Sequence, residues 1–294
     1  MMKLTKAQRK KVFLRLNLSA PSGAGKTYSA LLMAYGITGD WGKVAVIDTE
    51  NGSASLYSHL GEFNVIDLEP PFSPERYVEA LKACEDAGME VVIIDSSSHE
   101  WNGAGGCLEI NEKLAAAKYK GNTWSAWNET TPRHDAFVNK VLHTRAHVIT
   151  CTRSKTETVL DGNKVKKVGM KDIQREGWEY ELTVSLSIDR DTHMVTASKD
   201  RTGLFFNADP FVITVETGAL IRNWCESGID EEEEMLGAIA RAENIAHLTD
   251  MMKRAPSHLR VSDRVRTAAN DKHKQLQYYG ANDNEPQSVS DEQE

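Results

Sequence analysis

The sequence predicts an α/β fold: a mostly parallel, twisted sheet with an antiparallel extension, followed by a C-terminal helical hairpin. Three observations carry this. Short β-rich runs alternate with stretches long enough to hold helices, the rhythm of βαβ units. A glycine-rich loop joins the first run directly to a helix-forming segment. Past Ile229 the apolar residues recur at a spacing of three, which suits helices and not strands.

In chain order, the predicted strands are VFLRLNL (12–18), KVAVIDT (43–49), EVVIID (90–95) and AHVITC (146–151). Apolar residues fill most of their positions, as expected of strands covered on both faces. LTVSLSID (182–189) and HMVTAS (193–198) form the expected antiparallel extension. Ile239, Ala242, Ile245, Leu248 and Met251 mark one helix that Pro256 ends, and Leu259, Val265, Ala269 and Leu276 mark a second that stops before Gly280. The expected organisation is therefore a basic N-terminal arm over 1–11, a core over 12–228, a helical hairpin over 229–280 and a disordered acidic tail over 281–294.

Composition narrows the function. The 294 residues carry 35 Lys and Arg against 43 Asp and Glu, a net charge of −8, so any polyanion site must be local. Cys84, Cys107, Cys151 and Cys225 form no C-x-x-C pair, which indicates neither a zinc knuckle nor a disulfide frame and fits a reducing cytoplasm. No run of some 18 apolar residues is present, so no membrane span is expected. Arg15 and Asn17 interrupt the apolar stretch that an export signal would need.

The chemistry starts at APSGAGKT (20–27), placed between a strand and a helix as a phosphate loop must be. The backbone around Ser22, Gly23, Ala24 and Gly25 offers N–H donors to phosphate oxygens, with Tyr28 following in the helix. Lys26 supplies a charge for the terminal phosphates and Thr27 a hydroxyl for Mg²⁺, so ATP and Mg²⁺ are the expected ligands. Asp95 ends a buried strand where a carboxylate can hold the same Mg²⁺. Glu50 ends another and is placed to act as base for an attacking water. Glu100 is a second candidate for that role, whereas His99 and His134 are assigned no metal.

From about Phe13 to Phe206 these motifs resemble the RecA-type recombination ATPases, and within them the small bacteriophage RecA-core proteins that bind single-stranded DNA and promote annealing. APSGAGKT is similar to their phosphate loop, VIDTE to the strand with the catalytic glutamate, and VVIIDSS to the magnesium-aspartate strand. The resemblance implies a RecA-like P-loop NTPase core and a cytoplasmic site of action, in the bacterial host if phage-encoded. It makes Tyr57 the adenine-stacking tyrosine, and Lys199 and Arg201 cations that reach a neighbouring subunit's ATP. It also implies self-association, as a ring or a filament, and other phage recombination or host replication proteins as further partners. The family glutamine at the tip of AHVITCTRSK is missing, and Thr150, Cys151 and Thr152 stand in its neighbourhood.

Two segments bear on DNA. Residues 153–171 hold Arg153, Lys155, Lys164, Lys166, Lys167 and Lys171 against Glu157 and Asp161, with LDGNK as a turn signal, so a projecting basic hairpin or mobile loop is expected there. The glycine-rich stretch SSSHEWNGAGG, which includes Trp101, stands where the family has its first DNA loop. The resulting expectation is an ATP-dependent single-stranded-DNA-binding protein of recombination or annealing. The alternatives are a motor or loader acting on protein partners without DNA contact, and a small-molecule kinase.

Overall fold

A computed structural model describes residues 6–161 and 164–282. It divides into two compact units: Val12–Cys225, and a second made of residues 1–11 with Glu226–Glu294.

The larger unit is built on one sheet. Its strands are β1 (Arg15–Ala20), β2 (Val44–Asp48), β3 (Asn64–Asp67), β4 (Val91–Asp95), β5 (His147–Asp161), β6 (Lys164–Asp172), β7 (Val184–Ile188) and β8 (Val195–Asp200). They run in the order β3-β2-β4-β5-β1-β7-β8, with β6 paired to the outer half of β5. All neighbours are parallel except β7 with β8 and β5 with β6. The antiparallel extension is thus β8 alone, because β7 lies parallel to β1. β3 has no counterpart among the sequence-predicted strands. It is a four-residue edge strand, half-exposed, with too little apolar content to stand out.

Side-chain alternation sorts this sheet into two cores. Val44, Val46, Val91 and Ile93 face α1 (Lys26–Thr38) and α7 (Val215–Glu226), whereas Ala45, Ile47, Val92 and Ile94 face α2 (Pro74–Asp86) and α5 (Thr123–His143). Both faces are covered at β2 and β4, and each of these strands is apolar at every position before its terminal aspartate, whereas β1 and β7 place polar residues at alternate positions. α1 and α7 meet through a pair of glycines: a Cβ on Gly36 would lie 2.0 Å from Val215 O and 2.8 Å from Gly218 Cα.

SSSHEWNGAGG is not an open loop. It forms α3 (Ser98–Asn102) and a short turn into α4 (Cys107–Lys118), with Glu100 and Cys107 buried among their neighbours. Trp101 stacks on Trp127 of α5, at 5.5 Å and 15°.

The second unit differs from a simple hairpin. Its described residues form four helices, α8 (Glu231–Ala240), α9 (Ile245–Arg254), α10 (Ser257–Arg260) and α11 (Asp263–Asn282), around Met235, Ile239, Leu248, Leu259 and Val265. The break at Pro256 is the expected one, and the extra breaks have local causes: Asn244 accepts from His247 N as the N-cap of α9, and Ser262 accepts from Val265 N ahead of α11. α11 passes through Gly280 to Asn282, so helix replaces the start of the expected tail; residues 283–294 lie outside the described residues. The end of the basic arm is paired within this unit, where Lys10 meets Glu231 and Lys11 meets Asp230, the cap of α8.

Candidate nucleotide site

β1 delivers the phosphate loop, and its first requirement is backbone shape. Gly23 and Gly25 have φ of +80° and +86°, conformations that a side chain would strain. Gly25 caps α1, so the loop turns straight onto a helix N-terminus, which favours an anion. Lys26 is buried and its Nζ donates to Ala20 O and Pro21 O, both at 3.1 Å, which holds it folded over the loop.

The candidate metal-holding pair is in contact. Thr27 Oγ1 donates to Asp95 Oδ2 at 2.5 Å, while Asp95 Oδ1 is buried without a hydrogen-bond partner. Burial pushes the Asp95 carboxyl up to about 6; the Thr27 bond and the Lys26 charge oppose this, and Glu50 and Asp48 add to it. A buried carboxylate oxygen with no partner beside a hydroxyl is a donor set that fits Mg²⁺.

Glu50 is positioned by β2. Asp48 accepts from Glu50 N at 2.6 Å and from Ala54 N at 2.7 Å, so the last strand residue fixes the turn that follows it. Thr49 latches this tip to β4: its N–H donates to Asp95 O at 2.8 Å, and its hydroxyl accepts from Ser96 N at 2.8 Å and meets His99 Nδ1 at 2.8 Å. The Glu50 carboxylate does not stand free. Arg153 holds its Oε1 through Nε at 3.0 Å and Nη2 at 2.9 Å.

Arg153 lies on β5, which sits between β4 and β1 and continues without a break into the ribbon with β6. The ribbon's root is stitched to the phosphate-loop strand. Asp172, the last residue of β6, accepts from Asn17 at 3.2 Å, from Thr152 at 3.3 Å and from Ser19. Of the residues near the missing glutamine, Thr150 donates to Asn17 Oδ1 at 2.9 Å and Thr152 Oγ1 accepts from Asn17 Nδ2 at 2.8 Å. Gln174, just beyond the ribbon, donates to Ser97 O at 2.9 Å.

Other expected site residues fall elsewhere. Glu100 is not a water-positioning acid: it is fully buried and holds His134 Nδ1 at 3.0 Å and Cys107 Sγ at 3.0 Å. Ligand atoms of Glu100, Cys107 and His134 lie within 4.8 Å of one another, a set that could hold a transition metal ion. Burial, and after it the Glu100 carboxylate, push the Cys107 thiol far up, so without an ion it stays protonated and donates to Glu100. Tyr57 lies beside Tyr28, centroids 5.9 Å apart, which puts two aromatic rings at the start of α1.

Lys199 and Arg201 do not approach this chain's own phosphate loop. Their strand runs antiparallel to β7, so they lie at the opposite end of the sheet, where Lys199 Nζ donates to Glu179 O and Tyr180 O at 2.7 and 2.5 Å and Arg201 Nη2 to Tyr180 O at 3.1 Å. Of the basic ribbon, Lys155 is exposed and Lys171 faces Glu157 at 3.6 Å. Lys164, Lys166 and Lys167 lie on β6 by backbone, and their side chains fall outside the described residues.

A residue that the sequence reading missed is His193, in the β7–β8 turn. Its Nδ1 is 3.2 Å from Ala24 O of the phosphate loop, and nothing in the sequence nearby signals that contact.

A family model described as an AAA domain matches residues 13–210, two thirds of the chain. The chain belongs to this AAA domain family. No curated protein matches it. Among solved structures it is similar to the RadB recombinase, with 16% identity and a TM-score of 0.42 over 72% of this chain and 90% of that one. The AAA-domain family match supports an ATPase with an α/β P-loop fold. Among the described residues no helix is long and apolar enough to cross a membrane.

Proposed function

We propose that this AAA-domain protein is an ATP-dependent, single-stranded-DNA-binding protein of recombination or annealing that works as an assembly of its own copies. The observation that carries this reading is the Glu50–Arg153 pair, which joins the candidate water-positioning acid to the root of a cationic ribbon. Lys26 and the loop backbone would hold the phosphates, and Thr27 and Asp95 would hold Mg²⁺, which supplies charge neutralisation when bound. Glu50 orients and deprotonates water once its carboxylate is released. Tyr28 and Tyr57 offer stacking surface to the base.

On this reading Arg153 serves two anions in turn. A DNA backbone entering along the ribbon, with Lys155 and Lys171, competes with Glu50 for its guanidinium. DNA binding then frees the acid, and turnover rises. Lys199 and Arg201, remote from their own site, would complete a neighbour's.

The test is a mobility shift of a labelled single-stranded oligonucleotide with a non-hydrolysed ATP analogue. A salt-sensitive complex is expected, lost in Lys26→Ala and retained in Glu50→Gln, which binds ATP but turns it over slowly. No complex at moderate salt would instead favour a motor or loader acting on protein partners.

A further inference from the structure

Several cations of the second unit are spent in ion pairs. Lys10, Lys11, Arg254, Arg264 and Lys274 each face an acid: Glu231, Asp230, Asp250, Glu232 with Glu233, and Asp271. Lys253, Arg260 and Arg266 have no ion-pair partner among the described residues, and all three are exposed. They belong to three different helices, α9, α10 and α11, yet they line one groove of about 480 Å³. Leu248, Met252 and Ala269 line it as well, the first and last of them buried.

We infer that this groove is a docking site for an acidic peptide segment of another protein, one that carries a bulky apolar side chain among its carboxylates. Charge complementarity sets the acidic part. Three cations line one groove whose described lining carries no acid, and an incoming polyanion offers them the countercharge that the lining lacks. The lining sets the apolar part. Leu248 and Met252 give an apolar surface that water wets poorly, and the unbranched Met252 side chain can adjust to what it meets.

Two other occupants fit less well. A single nucleic-acid strand would use aromatic platforms for its bases, and the groove has no Phe, Tyr or Trp in its lining. The chain's own last residues, 283–294, carry Asp283, Glu285, Asp291, Glu292 and Glu294 but only Pro286 and Val289 as apolar side chains. Both are small for a space of this volume.

The test uses the full chain and a short fluorescein-labelled peptide in which aspartates and glutamates flank one phenylalanine, followed by fluorescence anisotropy. Saturable binding is expected, weakened at least about ten-fold by Arg260→Ala with Arg266→Ala and by replacing the peptide's phenylalanine with alanine. Thermal melting shows whether the variant keeps its fold, and Lys253→Ala alone, a milder change, should weaken binding in the same direction. Binding that ignores these changes overturns the inference. So does an unlabelled oligonucleotide that displaces the peptide more effectively than unlabelled peptide does. Binding seen only after residues 283–294 are deleted overturns it too, because the tail would then be the occupant.

Discussion

Removing the Arg153 guanidinium separates a lock on Glu50 from a mere neighbour. Arg153→Ala deletes two charge-assisted bonds to one carboxylate oxygen, at 2.9 and 3.0 Å. The pair is part-exposed, with side-chain exposures of 37% and 25%, so solvent screening reduces its worth to about 1 kcal/mol. An energy of that size holds Glu50 in the paired state by a factor of about five. Basal ATP turnover without DNA should therefore rise by up to about five-fold in Arg153→Ala, and added single strand should stimulate it less than it stimulates the parent. A coupled-enzyme ATPase assay with and without oligonucleotide reads both. Glu50→Gln supplies the control: Arg153→Ala should add nothing in that background, because the two residues act through one interaction. If basal turnover falls or stays level in Arg153→Ala while nucleotide affinity is kept, Arg153 does not restrain Glu50 and the coupling route fails.

Gly36→Ala should destabilise the larger unit by about 2–3 kcal/mol, seen as a lower melting temperature, because its Cβ would meet backbone atoms Val215 O and Gly218 Cα that cannot turn away. His147 is held neutral, its pKa pushed down to about 4 by burial and then by the Arg15 charge. The unfolded chain takes up that proton near the ordinary 6.5, so the fold loses about 3 kcal/mol as pH falls from there to about 4; His147→Asn, read by urea unfolding across that range, should flatten the slope. Chains carrying Lys26→Ala and chains carrying Arg201→Ala should each hydrolyse ATP poorly, yet regain turnover when mixed, because a mixed interface joins an intact loop to an intact cation. No recovery on mixing would show that Arg201 does not act across an interface.

What the sequence displays well is chemistry carried by consecutive residues. The run from Leu16 to Thr27 states strand, loop and helix in order, and Asp95 stands out because five apolar residues precede it within six positions. What it hides is chemistry made by register. The bond between Asp172 and Asn17 spans 155 positions, and the Glu50–Arg153 pair spans 103. Neither end carries a local mark, since an arginine after a strand and an aspartate before a loop are ordinary. β7 shows the same limit: its alternation suits a parallel or an antiparallel neighbour, and only its pairing with β1 decides between them. The helical breaks of the second unit were concealed differently, by caps at Asn244 and Ser262 that cut each expected helix into shorter pieces without disturbing its apolar period.

The polar row on β1 and β5 gives the ribbon its leverage. Asn17, Thr150 and Thr152 are fully buried, in a position where apolar side chains would pack with less risk. Thr150 and Thr152 bond Asn17 directly, and Asp172 completes the network by bringing carboxylate oxygens to Ser19, Asn17 and Thr152. Sliding β6 by a single residue would withdraw that carboxylate and cost each of these three side chains an acceptor, at about 1 kcal/mol each. The root of the ribbon therefore cannot shift alone. On the proposed function, whatever moves it would move β5 as well, and with β5 the Arg153 side chain that holds Glu50, so an event on the ribbon would reach the candidate catalytic acid through one strand.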